Sequence, residues 1–167
     1  METPLRLEDI TIRNELHAGD IGYVVYLHGT LYKAEYDYGI EFESYVAKGL
    51  HDFIERYSPD RDHVWICEHI TQIIGFMLLM DRGGNSAQLR FFILTPGYRG
   101  IGLGKKLMNE FMQLLKKKNY HHAFLWTTNE QEAAAYLYRK AGFTVTQEKN
   151  STAFGKPLIE QRYEVYL

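Results

Sequence analysis

The chain has 167 residues, of which 46% are hydrophobic and 24% charged, with a net charge of −2. That composition excludes a disordered chain, a collagen and a coiled coil. A near-neutral balance gives no global drive toward nucleic acid or an anionic membrane, so any charge argument must be local. Cys67 is the only cysteine. It allows no internal disulfide and no all-cysteine zinc site, which fits a reducing compartment. The first residues carry acids where a signal peptide carries a basic and then an apolar run. No apolar run reaches the roughly 20 residues of a membrane span. The expectation is a cytoplasmic protein of one domain, residues 1–167, without metal, membrane or nucleic-acid partners.

Residues 9–14 alternate apolar and polar and predict a short strand. Asp20 is placed to cap a helix carrying Val24, Leu27 and Leu31, and Asp37-Tyr38-Gly39 breaks it. A second helix presents Phe42, Val46, Leu50, Phe53, Ile54 and Tyr57 on one face. His63–Glu68 and Gln72–Met80 then predict an antiparallel hairpin, and a third strand runs from Gln88 to Leu94. A loop follows, then a long helix from near Gly102 with Leu103, Leu107, Phe111, Leu114 and Leu115 inward. Ala123–Thr127 reads as a strand, Gln131–Lys140 as a helix, and 142–147 and 160–167 as strands. Two helices, a meander, then alternating helices and strands predict an α+β fold with a mixed sheet.

The stretch most informative about chemistry is Thr95-Pro96-Gly97-Tyr98-Arg99-Gly100-Ile101-Gly102-Leu103-Gly104-Lys105. Here a strand enters a glycine-rich turn that opens a helix. Such a turn exposes backbone N–H groups at the positive end of the helix, a cradle for phosphate or pyrophosphate. Residues 105–118 add a net charge of +4. The Walker A pattern fails because the residue five before Gly104 is Arg99 and Leu107 is no serine or threonine. The dinucleotide pattern fails because its last glycine would fall on Lys105 or Leu107.

What fits is Arg-x-x-Gly-x-Gly, as Arg99-Gly100-Ile101-Gly102-Leu103-Gly104, followed downstream by Leu137-Tyr138-Arg139-Lys140-Ala141-Gly142-Phe143. With these two motifs in order, the chain resembles the GNAT N-acetyltransferase superfamily. More narrowly, it is similar to the acetyltransferase half of bacterial MarR–GNAT fusion proteins. The residues carrying that likeness are His28-Gly29-Thr30-Leu31-Tyr32, Glu35-Tyr36, Leu125-Trp126-Thr127-Thr128, Phe154-Gly155 and Gln161. The resemblance implies the GNAT fold, a mostly antiparallel sheet of about seven strands flanked by about four helices. It implies acetyl-CoA as cosubstrate, its pyrophosphate on Arg99, Gly100, Ile101, Gly102, Leu103, Gly104 and Lys105. Its pantetheine would lie along Phe92, Ile93 and Leu94. It also implies Tyr138 as general acid, and Gln131 where many relatives place an asparagine.

The general base stays open. Trp126 stands where some relatives carry a glutamate, which leaves a water chain or an acid such as Glu35, Glu41 or Glu43. Residues 35–60 carry a net charge of −5, and seven of the thirteen tyrosines lie between Tyr23 and Tyr57. An acidic, aromatic wall with Tyr32, Glu35 and Tyr36 would draw a cationic amine. The competing reading is a CoA-binding sensor without turnover. His63, Cys67 and His69 share a strand face, but the first and Cys67 are about 13 Å apart, too far for one ion. His121-His122 reads as a solvated pair. The last strand, 161–167, is free to pair within its own sheet or with a second copy in a homodimer.

Overall fold

The structure, a computed structural model, describes residues 4–167. In chain order its elements are β1 (Thr11–Arg13), α1 (Asp20–Tyr36), α2 (Ile40–Arg56), β2 (His63–His69) and β3 (Gln72–Asp81), then β4 (Ser86–Leu94), α3 (Leu103–Lys117), β5 (His122–Thr128), α4 (Glu132–Lys140), β6 (Thr144–Ser151) and β7 (Leu158–Tyr166). The strands form one seven-stranded sheet in the order β1-β2-β3-β4-β5-β7-β6. Every pairing is antiparallel except β4 with β5. The expected α+β architecture is present.

β3 explains the layering. It is buried along nearly its whole length, so its run of apolar residues serves both faces of the sheet. Ile74, Met77 and Leu79 join Leu107, Phe111 and Tyr138 in a core beneath α3 and α4. Ile73, Phe76, Leu78 and Met80 join Val24, Phe42, Leu50 and Phe53 in a second core beneath α1 and α2. On α2 the expected face is narrower than predicted. Phe42, Val46, Leu50 and Phe53 are buried, whereas Ile54 is 42% exposed. Gly49 completes the buried face, with the tips of the Phe91 and Arg90 side chains packed against it.

Several sequence expectations need correcting. Asp20 is the first residue of α1, and Gly19, with φ +99°, precedes it as the cap. The Asp20 carboxylate instead accepts from the His17 N–H at 2.6 Å and from Arg13 at 2.7 Å. Arg13 also reaches Glu68 at 2.7 Å, so one guanidinium ties β1 to both α1 and β2. His122 is no solvated residue: its ring bonds Ser86 at 2.7 Å and Glu164 at 2.8 Å, bridging β4, β5 and β7. The last strand is interior, paired with β5 on one side and β6 on the other, so β6 forms that edge. The register of β2 on β3 shifts between Cys67–Gly75 and Glu68–Ile73, which leaves Ile74 of β3 as the extra residue and the alternation of β2 intact. His63 lies edge-on to Trp65 and His69 bonds the Tyr98 hydroxyl at 2.9 Å. Among the described residues no group of three or more His, Cys, Asp or Glu is placed to hold a metal. Burial pushes the Cys67 thiol up to about 12, so it packs as an inert apolar group. No described helix is long and apolar enough to cross a membrane.

Candidate active site

β4 and β5 pair only at Ser86–His122, Ala87–Ala123 and Gln88–Phe124. Beyond Gln88 the two parallel strands separate, and the β5-facing edge of β4 through Phe92–Leu94 has no strand partner. A bulge helps to open this wedge. The β3 register passes from Leu78–Arg90 to Phe76–Ile93, so Met77 faces two residues. One of them, Phe91, has φ +54°, a strained backbone for a non-glycine residue.

On one side of the wedge is a groove of about 400 Å³. Its walls are Phe92–Leu94 of β4, the Arg99–Lys105 turn, and Gln131, Ala134 and Leu137 at the start of α4. Gly100 and Gly102 have φ of +82° and +89° with open space above them, so glycine serves there for backbone conformation. Gly104 serves for packing, because a Cβ would come within 2.9 Å of Leu137 on α4. Among the described residues, no backbone N–H from Gly100 to Lys105 donates to a protein acceptor. Lys106 is the first to do so, to the Gly102 carbonyl at 3.0 Å. A row of free donors at a helix start, beside Lys105, fits a pyrophosphate. Arg99 acts as a strut in this arrangement. Its Nε donates to the Leu94 carbonyl at 2.9 Å, and its guanidinium pairs with Glu35 of α1 at 2.8 Å across the groove.

On the other side of the wedge lies a smaller cavity of about 80 Å³. The two spaces share Tyr32, Phe92 and Gln131. Gln131 precedes α4 and is held from both sides. Its Oε1 accepts from the Tyr32 hydroxyl and its Nε2 donates to Thr128 Oγ1, each at 3.3 Å. Tyr138 lines the small cavity and is only 5% exposed. Burial raises its phenol above the ordinary tyrosine range, so it is protonated at neutral pH. Among the described residues its hydroxyl has no hydrogen-bond partner.

The aromatic wall expected from the tyrosine-rich segment is present. Tyr32, Tyr38 and Phe42 pack with tilted or edge-on rings, centres 4.7–5.8 Å apart, with Phe154 beside them, and Tyr38 bonds Thr128 at 2.6 Å. Phe154 arrives from the β6–β7 connection, where the chain crosses close to Gly39. The Gly39 N–H donates to the Phe154 carbonyl at 2.9 Å, and a Cβ on Gly155, whose φ is +86°, would sit 3.3 Å from the Gly39 Cα. The expected acids lie elsewhere. None of the seven between residues 35 and 60 lines the small cavity. Glu35 and Tyr36 line the large groove instead, and Asp37 and Asp52 are taken by Lys33 and Lys48. The carboxylate in the small cavity is Glu160 of β7, opposite Thr128 in the register and with its side chain only 15% exposed. Sequence reasoning missed it. Its strand alternates Glu160, Arg162 and Glu164, which reads as a solvated strand face.

The site is thus a wedge between parallel strands with a turn of free backbone N–H groups on one side and a small polar cavity on the other. Comparisons with known proteins show the family. The profile described as "Acetyltransferase (GNAT) family" matches residues 29–143. The chain belongs to that family. It is similar to N-acetyltransferase 8 of Rattus norvegicus, 31% identical over 120 residues, which covers 66% of this chain and 54% of that protein. The chain thus spans about half the length of the curated relatives it matches. Its fold is similar to a GNAT acetyltransferase from Staphylococcus aureus Mu50, with a TM-score of 0.74, 19% identity, and coverage of 95% and 99% of the two chains. It is also similar to spermidine N-acetyltransferase from Vibrio cholerae, with a TM-score of 0.69, 20% identity, and coverage of 95% and 96%. That structure was solved in complex with CoA and spermine.

Proposed function

We propose that this chain, acting as a single domain over residues 1–167, transfers acetyl from acetyl-CoA to a primary amine of a small molecule or peptide. The reaction is direct attack in a ternary complex. The observation that carries this reading is the meeting of groove and cavity at Tyr32, Phe92 and Gln131, where the β4–β5 wedge opens. The free N–H groups of Gly100–Lys105 suit the pyrophosphate, and the edge Phe92–Leu94, which no strand covers, suits the pantetheine amides. Acetyl-CoA supplies the thioester.

The acceptor nitrogen must first give up its ammonium proton. It then attacks the carbonyl carbon, forming the C–N bond as the C–S bond breaks. The nitrogen loses a second proton, the sulfur gains one, and one proton is released overall. Tyr138, buried, protonated and without a protein partner for its hydroxyl, suits the role of donor to the departing sulfur. The narrower kinship with MarR–GNAT fusions, supported by the motif residues, and a cytoplasmic setting, supported by the single cysteine, belong to the same reading.

The test is calorimetric titration with acetyl-CoA, followed by thiol release against a panel of amines. Binding with release for one amine class is the expected result. Binding without release for any acceptor would favour the sensor reading, which the tryptophan at 126 and the glutamine at 131 recommend. In the same assay Gly102→Val, which forces a β-branched residue to φ +89°, is expected to weaken acetyl-CoA binding by about tenfold or more. Circular dichroism should show the fold intact.

A further inference from the structure

The small cavity contains more unpaired polar chemistry than a plain amine needs. Arg90 of β4 lines it. One of its nitrogens donates to the Tyr45 hydroxyl at 3.1 Å, and its guanidinium lies 4.4 Å from the centre of the Phe91 ring. Among the described residues no carboxylate comes within ion-pair distance of it. A guanidinium has five N–H donors in a planar fork, so most of Arg90's remain free. Glu160 lines the cavity from β7, with Lys149 its only cation among the described residues, at 3.8 Å. β5 runs between the two strands and contributes Trp126, Thr127 and Thr128. Thr127 Oγ1 is buried without a partner, and the mostly buried Gln88 amide beside Arg90 has none among the described residues.

A free cation on one strand and a carboxylate on another, in a cavity of about 80 Å³, suit a ligand that carries both charges. A polyamine or a lysine side chain would leave the guanidinium unmatched and add repulsion to it. We propose that the acetyl acceptor is a small aminocarboxylate, with its carboxylate on Arg90 and its ammonium on Glu160. The proposal rests on the acetyl-transfer reading above. Glu160 then also takes the ammonium proton. It stands opposite Thr128, whose hydroxyl accepts from Gln131 where groove and cavity meet, so the amine it frees is next to the thioester. The carboxylate that Trp126 denies to β5 is in this way supplied by the neighbouring strand.

The experiment compares matched pairs on the wild-type protein: an amino acid against the amine left by its decarboxylation, for example lysine against 1,5-diaminopentane and phenylalanine against phenethylamine. Thiol release is read, with acetyl-CoA affinity measured separately by calorimetry. The expected result is kcat/KM about tenfold or more higher for the aminocarboxylate of at least one pair. Arg90→Gln should raise that KM about tenfold and erase the preference, with the acetyl-CoA Kd unchanged, and Arg90→Lys should recover part of it. Glu160→Gln should lower kcat with the acetyl-CoA Kd unchanged. Equal turnover within every pair, or an Arg90→Gln variant that keeps the preference, overturns the proposal and leaves acetyl transfer standing. Acetyl-CoA binding without turnover of any member also overturns it. Failure to bind acetyl-CoA overturns the acetyl-transfer reading and this proposal with it.

Discussion

Replacing Tyr138 by phenylalanine is expected to lower kcat about 100-fold while leaving the acetyl-CoA Kd unchanged. The phenol lines the small cavity but not the large groove, so in the proposed reaction its loss touches chemistry and not coenzyme binding. It is buried among Phe92, Phe143 and Tyr163, with ring centres 5.9–6.4 Å away. Phenylalanine keeps those contacts. The hydroxyl has no partner among the described residues, so its removal strands no buried donor or acceptor and thermal stability should barely move. Burial, with the neighbouring Tyr163 and Tyr36, holds the phenol protonated well above neutral pH. That is the state a proton donor to a thiolate requires. Steady-state kinetics, calorimetry and a melting curve on one variant separate the outcomes. A loss of kcat equal to the loss of stability would make Tyr138 a core residue. Unchanged kcat would remove it from the mechanism.

Much of the scaffold was legible because its signals are local. Asp37-Tyr38-Gly39 ends α1 through a left-handed Asp37, and the apolar spacing of α3 reappears as its buried face. The glycine turn was legible for the same reason, since positive φ at Gly100 and Gly102 is a property of the positions themselves. What was not legible depends on pairing across the chain. Arg99 opens the glycine-turn motif, yet its side chain bonds Leu94 and Glu35. Glu35 looked like part of an acceptor wall until α1 was placed beside the turn. The bulge at Phe91 has no glycine to announce it. Glu160 and Arg90 lie seventy residues apart in sequence, and only the strand order brings both to one cavity. His122 looked solvated because its partners, Ser86 and Glu164, lie on two other strands.

His28 shows the same dependence, and it yields the other large prediction. It follows Val24 and Leu27 on the buried side of α1, is only 2% exposed, and stacks on Tyr32 at 5.7 Å and edge-on to Phe91 at 5.9 Å. Its Nδ1 meets the Val24 carbonyl at 2.8 Å. A carbonyl only accepts, so Nδ1 carries the proton and Nε2 is left as an acceptor. Burial pushes the imidazole down to about 4, from an ordinary value of 6.5. Above pH 6.5 the ring is neutral in both folded and unfolded chains and contributes no pH dependence. As pH falls from 6.5 toward 4 the unfolded chain gains a proton that the folded one refuses, so stability falls. The full loss is about 3 kcal/mol and is reached near pH 4. Glu164, held down to about 2 chiefly by its bond from Thr146, adds a loss of the same sign, but only below its ordinary value of 4.5. The interval between pH 6.5 and 5 therefore isolates histidine. His63, half-buried and shifted the same way, contributes there too, so the test is a difference. Urea unfolding of the wild type and of His28→Gln at several pH values is expected to show a shallower pH dependence for the variant across that interval. Glutamine can still donate to Val24 but does not titrate. Parallel curves for the two proteins would mean that His28 is protonated in the folded state, and that the cavity it lines admits more water than its aromatic walls imply.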